Sequence, residues 1–228
     1  MNILALDTSG PTCGVALLSE GAVRFSCTAL NKKTHSVNLM PMVDAAFTAT
    51  GLSLTDMDRL ACVVGPGSFT GVRLGVSTVK GLAHGSGKPC VAVNALEALA
   101  LGAGRFAGLV CPMQDARAGQ VYAALFRDGH RIGPDEPIAL TDLAERLRGM
   151  GEPVLFTGDG MIAHRERVAA LLGERAVFAS PAFASLRPEI AAELAVNAET
   201  TDYLGLMPYY LRAPSAERNR KLMEAQHA

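Results

Sequence analysis

The run Gly65-Pro66-Gly67-Ser68-Phe69-Thr70-Gly71 has residue types and spacing suited to chemistry. Two chemistries fit a glycine-rich turn that enters a helix. Free N–H groups and the positive end of the helix dipole suit an anion such as a phosphate. Alternatively, the glycines admit another backbone closer than a Cβ allows. Gly71, Gly75 and Gly81 continue into the helix, and each costs about 1 kcal/mol relative to alanine, so a compensating contact is required. Ser68 stands at the N-cap and outside any G-x-S-x-G elbow, so it reads as a cap before a nucleophile. Asp7 and Asp115 each close an apolar run, as a strand-end turn residue would. The histidines are 35, 84, 130, 164 and 227. No two are four apart, so no helical face supplies two imidazole ligands. Cysteines 13, 27, 62, 90 and 111 contain no C-x-x-C pair and read as reduced thiols. Neither a catalytic set nor a metal site is expected.

The elements that must position these residues follow from the pattern. Ile3–Leu6, Cys13–Ser19 and Ala22–Leu30 read as strands joined by tight turns, an antiparallel meander. Ser36–Thr50 reads as a helix ended by Gly51. Leu60–Val64, Phe69–Ala83, Pro89–Val93 and Ala95–Leu101 continue as strand, helix, strand, helix. This βββαβαβα order is that of an RNase H-like unit. The pattern then restarts with strands at Gly108–Gln114 and Gln120–Arg127, a helix at Leu140–Arg148 and a strand at Val154–Thr157. Met161–Leu172, Val177–Ala179 and Pro188–Ala198 follow as helix, strand, helix. The expected fold is α/β, with two tandem RNase H-like domains, the second shortened. The first spans residues 1–101 and is rejoined by a C-terminal return at about 206–228; the second spans 102–205.

The chain has 228 residues, 49% of them apolar, which is enough for a sizeable core. Its net charge of −1 argues against a strong nucleic-acid footprint in this chain alone. Lys32, Lys33, Arg212, Arg218, Arg220 and Lys221 are local basic candidates for auxiliary phosphate contacts. The apolar start ends at Asp7 without a basic lead, so no signal peptide is expected. No apolar run approaches the ~20 residues of a membrane span. A cytoplasmic protein is expected.

The segments Ile3-Leu4-Ala5-Leu6-Asp7-Thr8-Ser9, His35-Ser36, Leu39-Met40-Pro41, Gly65 to Gly75, Lys80-Gly81-Leu82-Ala83 and Leu96-Glu97-Ala98-Leu99-Ala100 together resemble the TsaB family, also called YeaZ. The resemblance is dense over residues 1–100. It thins to Asp115-Ala116-Arg117, Val121-Tyr122 and Pro208-Tyr209-Tyr210-Leu211-Arg212. It implies the actin and sugar-kinase superfold. It also implies a bacterial subunit of the machinery that makes threonylcarbamoyladenosine in tRNA. In that family the subunit is non-catalytic and pairs with TsaD, a catalytic relative of similar fold. With TsaE they transfer a threonylcarbamoyl group from its adenylate to the adenosine beside the anticodon. ATP and metal are accordingly expected in TsaD, and no cofactor in this chain. tRNA is expected to bind through the assembled complex. The older label of glycoprotease, or M22 peptidase, attaches to the same group.

Members of the superfold that bind nucleotide hold phosphates on glycine-rich hairpins after both strand-end aspartates. Here Gly10 is followed by Pro11, which has no N–H, and Asp115 by Ala116-Arg117. Asp7 and Asp115 therefore read as a vestigial nucleotide loop, and Gly158-Asp159-Gly160 as a remnant of the adenosine loop. A small kinase or nucleotide hydrolase using Asp7 and residues 65–71 stays as an alternative, and a peptidase as a weaker one.

What remains is surface. Val37, Met40, Val43 and Phe47 form one apolar stripe on the first helix; Leu39, Met42, Ala46 and Ala49 form a second. A helix on a domain surface needs one. In the glycine-rich helix, Gly71, Gly75 and Thr78 form a small-residue face beside Leu74. Either these faces pack on each other or they meet a partner. The expected interface is His35, Leu39, Met42, Ala46, Gly71, Leu74, Gly75 and Thr78, docking TsaD or, in the isolated chain, a second copy.

Overall fold

Asn2–Asp7 (β1), Cys13–Ser19 (β2) and Ala22–Ala29 (β3) form the antiparallel meander. Glu20 and Gly21 turn β2 into β3 with φ of 53° and 74°, the left-handed pair that matches the twist of a two-residue hairpin. The computed structural model containing these elements describes residues 1–31 and 33–212. Lys32 and the candidates Arg218, Arg220 and Lys221 lie outside the described residues.

His35–Thr50 (α1) ends where the Gly51 N–H reaches the Phe47 carbonyl with φ 69°, the glycine C-cap. Arg59–Gly65 (β4) joins β1 in parallel, Phe69–Ser86 (α2) crosses over, and Cys90–Asn94 (β5) joins β4. Ala95–Gly102 (α3) is capped by Asn94, whose Oδ1 accepts from the Glu97 N–H at 3.0 Å. The sheet order is β3-β2-β1-β4-β5.

The second half is built from Leu109–Asp115 (β6), Gln120–Ala123 (β7), Phe126–Arg127 (β8), His130–Arg131 (β9) and Glu136–Ala139 (β10), followed by Leu140–Met150 (α4), Val154–Thr157 (β11), Asp159–Leu172 (α5), Ala176–Phe178 (β12) and Pro188–Leu194 (α6). Its order, β10-β7-β6-β11-β12, repeats the first sheet. The fold is two tandem RNase H-like units with a shortened second.

Three local readings change. The strand expected over 120–127 is divided into β7 and β8, although both pair with β6. Pro112 lies in the intervening stretch of β6 and has no N–H to give the ladder. The strand β10 escaped the sequence pattern because Pro137 demotes the run; it is tolerated because β10 is an edge strand. The C-terminal return also begins earlier than residue 206. α6 packs on β1 and β2, Thr201 exchanges both backbone hydrogen bonds with Cys90, and Leu206 is buried in the first core. A boundary at 205 therefore assigns α6 to the wrong sheet.

One core joins the halves. Val63, Val93, Leu96 and Leu99 from the first meet Val110, Phe126 and Leu155 from the second, with Ala191, Ala192 and Ala195 between. A second core lies under α1 and α2, which cover the same face of the first sheet. α4 and α5 cover the corresponding core of the second. The C-terminal ends of β1 and β6 open on a shared cleft.

Candidate functional site

The glycine-rich turn meets the end of β1. A Cβ on Gly67 would overlap the Ser9 carbonyl, and one on Gly71 the Thr8 carbonyl. A Cβ on Gly75 would lie 2.6 Å from Thr8 Oγ1. The Thr8 hydroxyl donates to the Gly71 carbonyl at 2.7 Å. The glycines are thus needed for close packing of α2 on β1. Two of the donors that an anion would use are engaged. Ser68 N–H bonds the Ser9 carbonyl at 2.7 Å, and Gly71 N–H bonds Ser68 Oγ at 3.3 Å. Ser68 is the N-cap that the sequence indicates.

Asp7 is fully buried. Its Oδ1 accepts from the Ser9 N–H at 2.8 Å and the Ser9 hydroxyl at 2.7 Å, while Oδ2 is buried without a partner. Burial pushes its carboxyl up to about 6 against those hydrogen bonds. Burial likewise raises the Cys13 thiol to about 12 and holds Cys62 and Cys111 far above the reactive range.

The second half repeats the contact with different side chains. A Cβ on Gly158 would overlap the Met113 carbonyl, and one on Gly160 would lie 2.9 Å from the Met113 carbonyl carbon. Asp115 is exposed. Its Oδ1 accepts from the Arg117 N–H at 3.0 Å and faces His164 Nε2 at 3.2 Å. Arg117, Ala118 and Gly119 run at φ of 62°, 51° and 73°. The Ala116 N–H is spent on the Gln120 carbonyl at 3.0 Å. This turn is closed on itself where a phosphate hairpin would open. Asp159, at the start of α5, is pushed up to about 6 by burial, and the Asp115 charge adds to the rise. The His164–Asp115 contact was not visible in the sequence, because the two residues are 49 apart.

Between the strand ends lies a cleft of about 560 Å³ bordered by Ser9, Gln114, Asp115, Arg117 and Asp159. The return segment forms its mouth. Tyr209 N–H bonds the Val64 carbonyl at 2.8 Å, and the Tyr210 ring stacks on Phe69 at 4.9 Å. Among the described residues no three His, Cys, Asp or Glu side chains gather as a metal site, and no helix is long and apolar enough to cross a membrane.

The expected interface residues divide. Leu39 is 1% exposed and Ala46 0%, both in the core under α1. Gly71 and Gly75 are buried against Thr8. These four are internal, because the sheet lies on their side of the helices. His35 is half-buried, and the Gly10 carbonyl accepts from its Nε2 at 3.1 Å. Met42, Leu74 and Thr78 are half-buried. The outer face instead carries Val37, 57% exposed, and Met40, 41% exposed, on α1. On α2 it carries Arg73, Ser77 and Gly81. Among the described residues, nothing beyond its own helical turn lies within 4 Å of a Cβ on Gly81, so packing among them does not account for that glycine.

The TsaB protein of Bacillus subtilis (strain 168), a tRNA threonylcarbamoyladenosine biosynthesis protein, is 38% identical over 230 residues, covering 99% of this chain and 100% of that protein. This chain belongs to the TsaB family. The TsaB protein of Escherichia coli (strain K12) is 34% identical over 221 residues, 93% of this chain and 95% of that protein. A crystal structure from Pseudomonas aeruginosa, described as similar to peptidase YEAZ, superposes with a TM-score of 0.78 at 31% identity, covering 92% of this chain and 99% of that one. The family model for TsaD, tRNA N6-adenosine threonylcarbamoyltransferase, matches residues 29–195. The TsaB-family segments thus take physical roles here. Asp7-Thr8-Ser9 and Gly65 to Gly75 form one packed joint, and Tyr209-Tyr210 closes over it.

Proposed function

We propose that this chain is the non-catalytic subunit that pairs with TsaD in making threonylcarbamoyladenosine in tRNA, in the cytoplasm. The observation that carries the reading is the outer face of α1 and α2. Val37 and Met40 stand in solvent beside a helix whose Gly81 has no packing reason among the described residues. Two neighbouring helices with an apolar and small-residue outer side suit a helix-on-helix contact. The transferase chemistry, ATP and metal belong to TsaD. In this chain Pro11 removes an N–H, Ala116 uses its own internally, and the Ser68 N–H is bonded to the Ser9 carbonyl. TsaE joins the pair, and tRNA is held by the assembly. In isolation the same face forms a homodimer. Among the described residues, nothing favours the kinase or peptidase alternative over this reading.

Co-elution with TsaD tests the proposal. Met40→Glu places a charge on the exposed face and is expected to lower the affinity for TsaD by about 10–100-fold, the scale of a central interface anchor, with an unchanged circular dichroism spectrum. Equal co-elution of the folded variant overturns it. Gly75→Glu is not such a test, since its side chain would enter the β1–α2 joint.

A further inference from the structure

The inter-domain cleft contains a polar group that the fold leaves unsatisfied. Gln114, near the end of β6, is 3% exposed, and its Oε1 is buried with no hydrogen-bond partner. Its amide lies across the gap from the first half, with a Cβ on Gly10 falling 3.9 Å from Gln114 Nε2. A buried, unpaired carboxamide oxygen is costly and calls for a donor. Gln114 itself borders the cleft, so a turn of its carboxamide would bring the oxygen to a ligand there.

The other side chains bordering the cleft set the ligand's charge pattern. Asp115 and Asp159 are carboxylates beside Gln114, so one end of the cleft is rich in acceptors. Arg117 and Arg212 also border it, and among the described residues neither forms an ion pair. Tyr210 offers an aromatic face. The volume of about 560 Å³ lies in the range of ordinary small-molecule sites. Acceptors together with free guanidiniums match neither a bare anion nor a bare cation.

We propose that the cleft binds a small zwitterion of the class of α-amino acids and short peptides. Its ammonium group donates to Gln114 Oε1 beside Asp115 and Asp159, and its carboxylate meets the guanidiniums of Arg117 and Arg212. The site is separate from the α1–α2 face and does not depend on what docks there.

Titration calorimetry and saturation-transfer NMR on the full chain test this with L-threonine and glycylglycine as zwitterions. Inorganic phosphate and AMP serve as anion-only probes, and putrescine as the cation-only probe. The zwitterions are expected to bind and compete, and the other probes to bind at least tenfold more weakly. Gln114→Leu is expected to lower zwitterion affinity by about tenfold, the loss of one buried hydrogen bond, while raising Tm, because it removes the orphaned oxygen. Arg117→Ala is expected to lower affinity with Tm unchanged. Three results each overturn the proposal: no zwitterion binding to folded protein at about 10 mM, enough to fill a millimolar site; AMP or phosphate binding as well as the zwitterions; or a lower Tm in Gln114→Leu, which would show that the amide is satisfied within the fold. Co-elution with TsaD is a separate measurement, so failure here leaves the docking proposal standing.

Discussion

The ends of β1 and β6 occupy the same place in two copies of one fold, and their chemistry has separated. Both strands stop at an aspartate, and both are met by a helix whose first glycines leave room for the strand's carbonyls. Asp7 is sealed under Ser9 with one oxygen unpaired. Asp115 stands in solvent against His164 and the Arg117 N–H. The helices above differ in the opposite sense. The outer side of α4 exposes Asp142, Glu145, Arg146 and Arg148. The corresponding side of α1 exposes Val37, Met40, Pro41 and Ala45 around the single charge of Asp44. Close backbone approach is thus common to both halves, whereas side-chain burial and surface charge are not. The first half has a closed joint and an apolar exterior, while the second has an open strand end and a solvated exterior.

The shared joint gives the largest expected effect. Gly71→Ala and Gly158→Ala each force a Cβ onto a strand carbonyl and should destabilise by about 3 kcal/mol, the upper range for overpacking. Urea denaturation checks both. A tolerated Gly71→Ala with a damaging Gly158→Ala would break the equivalence of the two joints.

The aspartates should differ next. Burial pushes the Asp7 carboxyl up to about 6 in the folded chain, against about 4 for a free aspartate. The folded state therefore holds the proton more tightly, and this contribution is full below about pH 4 and lost as pH rises through about 6. It amounts to about 3 kcal/mol at most. Asp7→Asn keeps the acceptor for Ser9 and should flatten the stability profile between those limits, with higher stability than the parent at pH 7. Asp115→Asn, at an exposed position, should change stability by less than about 1 kcal/mol. Identical pH profiles for the parent and Asp7→Asn would remove the contrast between the strand ends.

The smallest effect separates the outer faces. Among the described residues, Gly81→Ala meets nothing beyond its own helical turn within 4 Å of the new Cβ, and it should stabilise the isolated chain by about 0.5–1 kcal/mol through helix propensity. The same change should weaken co-elution with TsaD by crowding the contact. A variant both more stable and equally tight would show that Gly81 serves neither the fold nor docking.

Much of this was legible in the sequence. The order of strands and helices up to residue 102 follows from strand-length apolar runs, from helical spacing, and from Gly51 as a stop signal. The glycines of α2 announced a close approach because nothing local repays so many in one helix, and Gly71 and Gly75 make it. The composition of the segment showed that something must pack there, but not what. Thr8 lies 63 residues from Gly71, and no local pattern links them. The same limit explains the interface. Two stripes on α1 had equal claims by spacing, and the core took Leu39, Val43 and Ala46 from both, because the inward side of a helix is set by where its sheet lies. Gln114 read as an ordinary strand residue until the first domain closed over it. Local periodicity and turn chemistry, written into neighbouring residues, determined the elements and the fold class. Which glycine meets which carbonyl, which stripe faces water and which polar atom is left unpaired depended on contacts between residues far apart in the chain, and only the tertiary structure decided them.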